Sequence, residues 1–145
     1  MSSLLKLARK PPITVGRDAT VMDAIDTMFD AHVGAVAVVE GSKLIGIFTE
    51  RDVLRKVVHE GRDAKTAPVS ELMTTEMILA DDDMSVGDAL SLMSEKRIRH
   101  LPVVAKDGSL EGMVSLRYLL HDRQDALLNE LTSLESYMGA DGPGG

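Results

Sequence analysis

Apolar positions in the first 60 residues change their spacing several times, and each change predicts a different element. A helical lead over residues 3–9 ends near two adjacent prolines, which favour extended backbone, and a short strand follows at 13–15. Thr20 and Asp23 then have the spacing of a capping box, so a helix is expected to begin just after Thr20. Its apolar residues recur at three- and four-residue intervals on one helix face: Val21, Ala24, Ile25, Met28 and Phe29.

Two uninterrupted apolar runs follow at residues 35–39 and 44–48, separated by four residues that favour a turn. Such runs are typical of strands buried on both faces, and the short connection predicts a hairpin. The chain turns helical again at Thr49, and the predicted apolar face consists of Val53, Leu54, Val57 and Val58. The unit therefore has the order strand, helix, strand, strand, helix.

The same unit returns after a polar connector. Residues recur at an offset of 65 positions and, after one extra residue in the second hairpin turn, at an offset of 66. The matched residues of the second copy are Ile78, Asp83, Val86, Asp88, Ala89, Met93, Val103, Val104, Leu110, Gly112, Arg117 and Leu120. We interpret this pattern as an internal duplication. It divides the chain into a lead, a first repeat, a connector, a second repeat and a C-terminal helix with a tail, at 1–10, 11–60, 61–75, 76–121 and 122–145.

The predicted fold class is α/β, of the α+β kind, with two strand-helix-strand-strand-helix repeats related by a pseudo-twofold axis. A unit this small cannot build a good core alone, so the two sheets are expected to pack against each other with the helices outside. A cleft between the repeats follows. Each strand-to-helix junction would bring free N–H groups and the positive end of a helix to that cleft, which predicts two related anion-binding places.

The first of these junctions, at residues 46–52, contains Thr49 and Asp52 at the spacing of a capping box. A cap alone would account for both residues, since such caps contribute about 1 kcal/mol. A ligand-binding role is the alternative, and a cap oxygen and a bound ligand can share one junction. The second junction keeps a hydroxyl at Ser115 but has Tyr118 where the first has its acid.

Composition excludes several classes of function. The 145 residues carry 16 Lys and Arg against 23 Asp and Glu, so no nucleic-acid partner is expected unless basic residues gather on one face. Cys is absent, which removes disulfides, thiolate metal sites and a cysteine nucleophile. The chain shows no apolar run of about 18 residues and no secretory leader. We therefore expect a cytoplasmic protein that does not associate with membranes.

Candidate chemistry is sparse outside the junctions. The four His residues lack metal-ligand spacing, and no Rossmann or Walker phosphate loop is present, so neither a metal site nor a catalytic site is expected. Arg99 and His100 precede a buried strand, where a phosphate-binding role is the better interpretation. Lys96 and Arg97 end a helix, so compensation of the helix dipole and a phosphate role are both open.

These features together resemble a tandem pair of cystathionine-β-synthase (CBS) domains, also called a Bateman module, of the free-standing bacterial type. The resemblance covers residues 12–120. It rests on the duplicated unit, on the pattern Gly-apolar-x-Thr-x-x-Asp at 46–52, and on Arg-His-Leu-Pro-Val-Val at 99–104. It implies an adenine nucleotide bound between the repeats, either AMP, ADP, ATP or NAD, with S-adenosylmethionine less favoured. It also implies a homodimer formed through the CBS pairs.

Carried over to this sequence, the resemblance assigns roles to particular residues. Asp52 would accept hydrogen bonds from the ribose hydroxyls, and Thr49 would contact ribose or phosphate. Arg99 and His100 would face the phosphates from the opposite repeat, and Ser115 would belong to a second site that lacks the ribose acceptor. The base would be lined by Thr14, Val33, Gly34 and Ala35.

The resulting functional prediction is a regulatory module that binds a nucleotide and signals its presence to an unidentified protein partner, without catalysis. The alternative is a structural homodimer whose cleft is vestigial and whose C-terminal helix docks a partner. That helix carries an apolar stripe that could fold onto its own domain or onto a twin subunit: Leu120, Leu127, Leu131, Leu134 and Met138. Residues 139–145 are expected to be disordered, because they are rich in glycine.

Overall fold

The computed structural model describes residues 3–141, with side chains described from residue 4 to residue 136. The elements before the second repeat are α1 (Ser3–Leu7), β1 (Thr14–Gly16), α2 (Val21–Ala31), β2 (Ala35–Glu40), β3 (Lys43–Thr49), α3 (Glu50–Asp52), a π-helical segment (Val53–Val58) and α4 (Val69–Leu72). The remaining elements are β4 (Ala80–Asp81), α5 (Val86–Lys96), β5 (His100–Val104), β6 (Leu110–Ser115) and α6 (Leu116–Asp141).

The two repeats build two three-stranded sheets with the same topology, in the orders β1-β2-β3 and β4-β5-β6. In each sheet the first pair of strands is parallel and the second pair is an antiparallel hairpin. The hairpin registers place Val36 opposite Phe48 and Leu101 opposite Val114, and all four side chains are fully buried. The predicted fold class and the duplicated strand order are therefore confirmed.

The sheets face each other through small and flexible apolar side chains. Ala35, Ala37 and Ile47 of the first sheet form a buried cluster with Met113 of the second. Each repeat also has its own core beneath its helices, centred on Phe48 in the first repeat and on residues such as Leu101 in the second. Small residues at the sheet interface allow the two backbones to approach closely, which leaves a cleft along the edge of the contact.

The segment that precedes one repeat in the sequence packs into the core of the other repeat. The lead helix α1 and the residue after it contribute Leu4 and Ala8 to the core of the second repeat. The connector helix α4 contributes Val69 and Leu72 to the core of the first repeat. Because α1 and α4 also lie 65 residues apart, the duplication extends into both leading segments.

The backbone just after each leading helix pairs with a strand of the repeat that the helix covers. Arg9 pairs with β6, and Thr74 pairs with β3. Arg9 donates its backbone N–H to the carbonyl of Met113 at 2.8 Å, and Thr74 donates to Ile47 at the same distance. Arg9 and Thr74 are therefore equivalent positions in the two halves of the molecule. This exchange of leading segments ties the repeats together.

The predicted helix starts are present. Thr20 accepts a hydrogen bond from the N–H of Asp23 at 3.1 Å, and the carboxylate of Asp23 accepts one from the N–H of Thr20 at 3.0 Å. Ser85 caps α5 by accepting from the N–H of Asp88 at 3.0 Å. The hydroxyl oxygens therefore satisfy backbone donors that the first turn of a helix leaves free.

The helix after Thr49 differs from the prediction. It becomes a π-helix over Val53–Val58, where His59 donates its backbone N–H to the carbonyl of Leu54 at 3.0 Å. The wider turn breaks the 3.6-residue spacing on which the predicted apolar face depended. Val57 is buried, whereas Leu54 and Val58 are 65% and 66% exposed.

The C-terminal helix α6 also differs in its extent and its packing. It continues to Asp141, so residues 139–141 are helical where disorder was predicted, and residues 142–145 lie outside the described part of the chain. Leu119 is buried against the second repeat, but every described residue from 120 to 136 is exposed. The apolar stripe therefore does not fold onto its own domain, as far as its side chains are described, and Met138 lies outside that range.

Candidate functional site

One cleft of about 1390 Å³ lies between the repeats and collects most of the predicted site residues. The residues that it brings together are Val33, Gly34, Ala35, Thr49, Asp52, Arg99, His100 and Ser115. Thr14 is not among the residues that line the cleft, whereas its neighbour Ile13 is. Adjacent side chains in extended backbone point in opposite directions, so only one of these two can face the cleft.

The carboxylate of Asp52 lies at the junction of β3 and α3 and is almost fully buried, at 7% exposure. It accepts hydrogen bonds from the N–H of Thr49 at 3.0 Å and from the Thr49 hydroxyl at 3.2 Å. The Thr49 hydroxyl oxygen in turn accepts from the N–H of Asp52 at 3.2 Å. The predicted capping box is thus formed, and its carboxylate also lines the cleft.

Two further residues reach Asp52, and sequence reasoning missed both. The Thr74 hydroxyl donates to one carboxylate oxygen at 3.1 Å, and the Lys56 ammonium lies 3.3 Å from the same oxygen. Lys56 also donates to the carbonyl of Leu72 at 3.0 Å. The spacing of Lys56 four residues after Asp52 was a usable signal for an ion pair, but nothing local to Thr74 indicated its partner.

The two motif glycines, Gly46 and Gly112, mark where the exchanged segments cross the sheets. A Cβ atom on Gly112 would lie 2.8 Å from the Cβ of Ala8 and 3.2 Å from the carbonyl oxygen of Arg9. A Cβ on Gly46 would lie 2.7 Å from the Cγ of Met73. A side chain at Gly112 would therefore meet atoms that cannot rotate away, whereas a side chain at Gly46 would meet the side chain of Met73.

The middle of the cleft is formed where the starts of β2 and β5 approach each other. A Cβ on Gly34 would lie 2.8 Å from Oε1 of Glu50 and 3.3 Å from Cε1 of His100, so Gly34 lets these side chains close over the backbone. Glu50 donates its backbone N–H to the carbonyl of Gly34 at 3.0 Å. Sequence reasoning did not single out Glu50, which no motif distinguished from an ordinary first-turn acid.

The electrostatics around His100 favour its neutral form. Burial lowers the pKa of His100 below its ordinary value of 6.5, the Glu50 carboxylate acts to raise it, and the Arg99 guanidinium acts to lower it. Burial is the largest of these influences, because imidazolium loses hydration when it leaves water. An anion placed beside His100 would oppose that penalty.

The second junction forms a simpler cap. The N–H of Tyr118 donates to the hydroxyl oxygen of Ser115 at 3.1 Å, and the Tyr118 side chain is 54% exposed. No side-chain carboxylate stands at the position equivalent to Asp52. The position equivalent to Thr74 is held by Arg9, which lines the cleft together with Lys10 and Arg117.

Basic side chains are concentrated in this cleft. Nine of the 16 Lys and Arg residues line it, compared with three of the 23 Asp and Glu residues within the described part of the chain. The basic residues are Lys6, Arg9, Lys10, Arg51, Arg55, Lys56, Arg97, Arg99 and Arg117. A protein of net charge −7 therefore presents a cationic cleft, which favours an anionic ligand.

Acidic residues gather elsewhere. Carboxylate oxygens of Asp81, Asp82 and Asp83 lie within 4.8 Å of one another, outside the cleft. Asp81 and Asp83 are exposed, and a surface cluster of this kind does not by itself define a metal site.

Among residues 3–141, the structure contains no helix with the length and apolar character needed to cross a bilayer.

The fold and the cleft define a duplicated α/β module with a cationic cleft between its halves. A family model described as the CBS domain matches residues 4–59 and 69–125. The chain therefore belongs to the CBS-domain family and carries the domain twice, which confirms the resemblance seen in the sequence. The matched ranges include the exchanged leading helices.

Curated relatives share most of this chain. The CBS domain-containing protein YhcV of Bacillus subtilis is 39% identical over 116 residues, which cover 80% of this chain and 81% of YhcV. The mitochondrial CBS domain-containing protein CBSX3 of Arabidopsis thaliana is 40% identical over 130 residues, which cover 83% of this chain and 61% of CBSX3. The chain thus spans about three fifths of the length of CBSX3.

Solved structures share the fold. A putative signal-transduction protein with CBS domains from Burkholderia ambifaria has a TM-score of 0.75 at 37% identity, covering 82% of this chain and 89% of that one. CBSX2, solved in complex with AMP, has a TM-score of 0.74 at 24% identity, covering 87% and 98%. The CBS domain pair of protein MJ0100, solved with 5-methylthioadenosine and S-adenosyl-L-methionine, has a TM-score of 0.77 at 23% identity, covering 85% and 96%.

Proposed function

We propose that the chain is a regulatory, non-catalytic module that binds an adenine nucleotide in the cleft between its two CBS domains. The observation that carries the proposal is the meeting of Asp52 and Thr49 with Arg99 and His100 in one cationic cleft. A carboxylate is a strong acceptor for the hydroxyls of a ribose, whereas phosphate requires Arg and N–H donors. The cleft supplies both kinds of partner.

The proposed pose places the ribose at Asp52 and the phosphates toward Arg99 and His100. The base lies in the narrow space beside Val33, Gly34 and Ala35, where the absence of a side chain on Gly34 leaves room for the side chains of Glu50 and His100. Both carboxylate oxygens of Asp52 already accept hydrogen bonds. In this pose a ribose hydroxyl takes the place of the Thr74 hydroxyl as a donor to the carboxylate.

Two structural neighbours support adenosine as the shared part of the ligand. CBSX2 was solved with AMP, and the MJ0100 pair with two adenosine derivatives. AMP, ADP, ATP and NAD share the adenosine and differ in what is attached to it. The contacts that the phosphates make therefore decide which of them this chain prefers.

Calorimetric titration of the purified protein with AMP, ADP, ATP, NAD and S-adenosylmethionine tests the proposal. We expect saturable binding of at least one nucleotide below millimolar concentration. The absence of heat for all five compounds, checked by the absence of any thermal shift, would sink the proposal.

We also propose that the protein forms a homodimer through its CBS pairs. The observation in favour is an exposed apolar set on the helices of the first repeat, where Phe29 is 77% exposed and Leu54 and Val58 are 65% and 66% exposed. Large apolar side chains at such exposure are typical of surfaces that another protein covers.

A scaffold that docks a partner through α6 is the second candidate function. Four leucines on this helix are each more than half exposed: Leu127, Leu128, Leu131 and Leu134. In that case the cleft is vestigial, and the protein binds its partner equally well with or without nucleotide.

A further inference from the structure

The duplication allows the two halves of the cleft to be compared position by position. The first half is built on Thr49, Asp52 and Thr74, and the second half on Ser115, Tyr118 and Arg9. Both halves keep the hydroxyl that caps a helix. The acceptor Asp52 is replaced by Tyr118, and the hydroxyl of Thr74 is replaced by the guanidinium of Arg9.

The equivalence of Arg9 and Thr74 is geometric as well as numerical. Each forms an isolated antiparallel bridge with the middle of a hairpin strand, Arg9 with Met113 and Thr74 with Ile47. In the first half, the hydroxyl at this position donates to a buried carboxylate. In the second half, a cation stands there, and the position equivalent to Asp52 holds Tyr118 instead of a carboxylate.

The second half thereby has the wrong groups for a nucleoside and suitable groups for an anion. A ribose diol is bound through an acceptor, and the second half has lost its carboxylate. Phosphate oxygens are bound by guanidinium, ammonium and N–H donors. Arg9, Lys10 and Arg117 supply cations, and α6, a helix of 26 residues, begins just after Ser115 with its positive end toward the same cleft.

His100 connects the two halves. In the β5–β6 hairpin it lies opposite Ser115, whereas its ring lies beside Gly34 of the first half. A phosphate chain that leaves a ribose in the first half and passes His100 therefore enters the second half.

We propose that the second half of the cleft is a subsite for the terminal phosphates of the nucleotide whose nucleoside occupies the first half. This inference rests on the proposed function and deepens it. The ligand is then a nucleotide with two or more phosphates, and one molecule binds per chain. Arg9 and Arg117 are the residues that distinguish it from a nucleoside monophosphate.

The test compares AMP, ADP and ATP by calorimetry in magnesium-free buffer with wild-type protein, the double variant Arg9→Gln/Arg117→Gln, and the double variant Lys65→Gln/Lys106→Gln as the control. Lys65 and Lys106 are exposed cations outside the cleft, so this control also removes two positive charges without touching the subsite. We expect ATP to bind wild-type protein at least about tenfold more tightly than AMP, with one site per chain. The double variant should lose most of this advantage and keep its AMP affinity within about twofold.

Three outcomes overturn the inference while the proposed function stands. They are equal affinities of AMP and ATP for wild-type protein, two nucleotides bound per chain, or an equal loss of AMP and ATP affinity in the double variant. If no nucleotide binds to any of the three proteins, the proposed function itself fails and the inference falls with it.

Discussion

Asp52 has two tasks at one position, since its carboxylate closes a capping box and also faces the cleft. In a cap without a ligand, as at Asp23, the carboxylate is exposed and accepts from its own helix start. Asp52 is buried and adds Thr74 and Lys56 as partners. These two acids therefore form a natural comparison, because they share the cap and differ in their surroundings.

We expect Asp52→Asn to weaken nucleotide binding about tenfold to a hundredfold, since a hydrogen bond to a charged acceptor is lost. Asp23→Asn serves as the matched control, because it changes the same cap position on α2 outside the cleft. Both variants should lose some thermal stability, measured by calorimetric unfolding, but only Asp52→Asn should lose affinity. Wild-type affinity in Asp52→Asn would refute the assignment of the ribose to this residue.

His100 predicts a pH dependence of binding. Burial lowers its pKa in the free protein, with Glu50 acting against this shift and Arg99 with it. A phosphate beside the ring favours imidazolium, so the pKa is higher in the complex and binding takes up a proton. Affinity should therefore rise as the pH falls through the pKa of the complex, and level off below the pKa of the free protein.

The measurement is nucleotide affinity between pH 8 and pH 5.5 for wild-type protein and His100→Asn. The ligand phosphate titrates near pH 6 in both cases, so the difference between the two curves isolates the histidine. Parallel curves would show that His100 does not touch the phosphate.

At the scale of elements, the exchanged leading helices determine where glycine is required. Gly46 and Gly112 are equivalent positions on β3 and β6, and each is covered by the chain that follows a leading helix. The contacts at Gly112 involve the Cβ of Ala8 and the backbone oxygen of Arg9, neither of which can move by a simple rotamer change. A methyl group there must displace the whole leading segment.

Gly112→Ala should lower the free energy of unfolding by about 1 to 3 kcal/mol, the usual cost of overpacking a core. Gly16→Ala is the control, because a Cβ on Gly16 would have no atom within 4 Å. Urea denaturation of both variants measures the effect. Equal stability of the two variants would mean that Ala8 and Arg9 do not pack over Gly112.

At the scale of the whole molecule, basic side chains are concentrated in the cleft of an acidic protein. Exposed large apolar side chains lie on α6 and on the helices of the first repeat, where Phe29 also lines the cleft but Leu54 and Val58 do not. The two apolar sets correspond to the two proposals for assembly. One pairs CBS helices between copies, and the other uses α6 as a docking surface.

We expect Phe29→Asp/Leu54→Asp to convert a dimer into a monomer in sedimentation velocity, because a charge buried at an apolar interface is strongly unfavourable. Leu127→Asp/Leu131→Asp is the comparison on α6 and should leave the dimer intact. A monomeric wild-type protein would contradict the homodimer proposal. Loss of the dimer only in the α6 variant would move the interface to that helix.

Local sequence patterns determined the strand order, the helix starts and the duplication. Each depends on interactions within a few residues, such as the cap at Thr20 or the apolar run at 35–39, and these interactions leave a regular spacing in the sequence. The duplication in turn predicted two related halves with a cleft between them. Most of the predicted site residues line that cleft for this reason.

Tertiary structure alone decided the rest. The partners of Asp52 and the equivalence of Arg9 with Thr74 depend on which core each leading helix joins, and no local pattern records that choice. The π-helical turn after Asp52 and the exposure of α6 are likewise outcomes of packing rather than of spacing. Periodicity reports which face of a segment is apolar, but what covers that face is decided by distant parts of the chain or by another molecule.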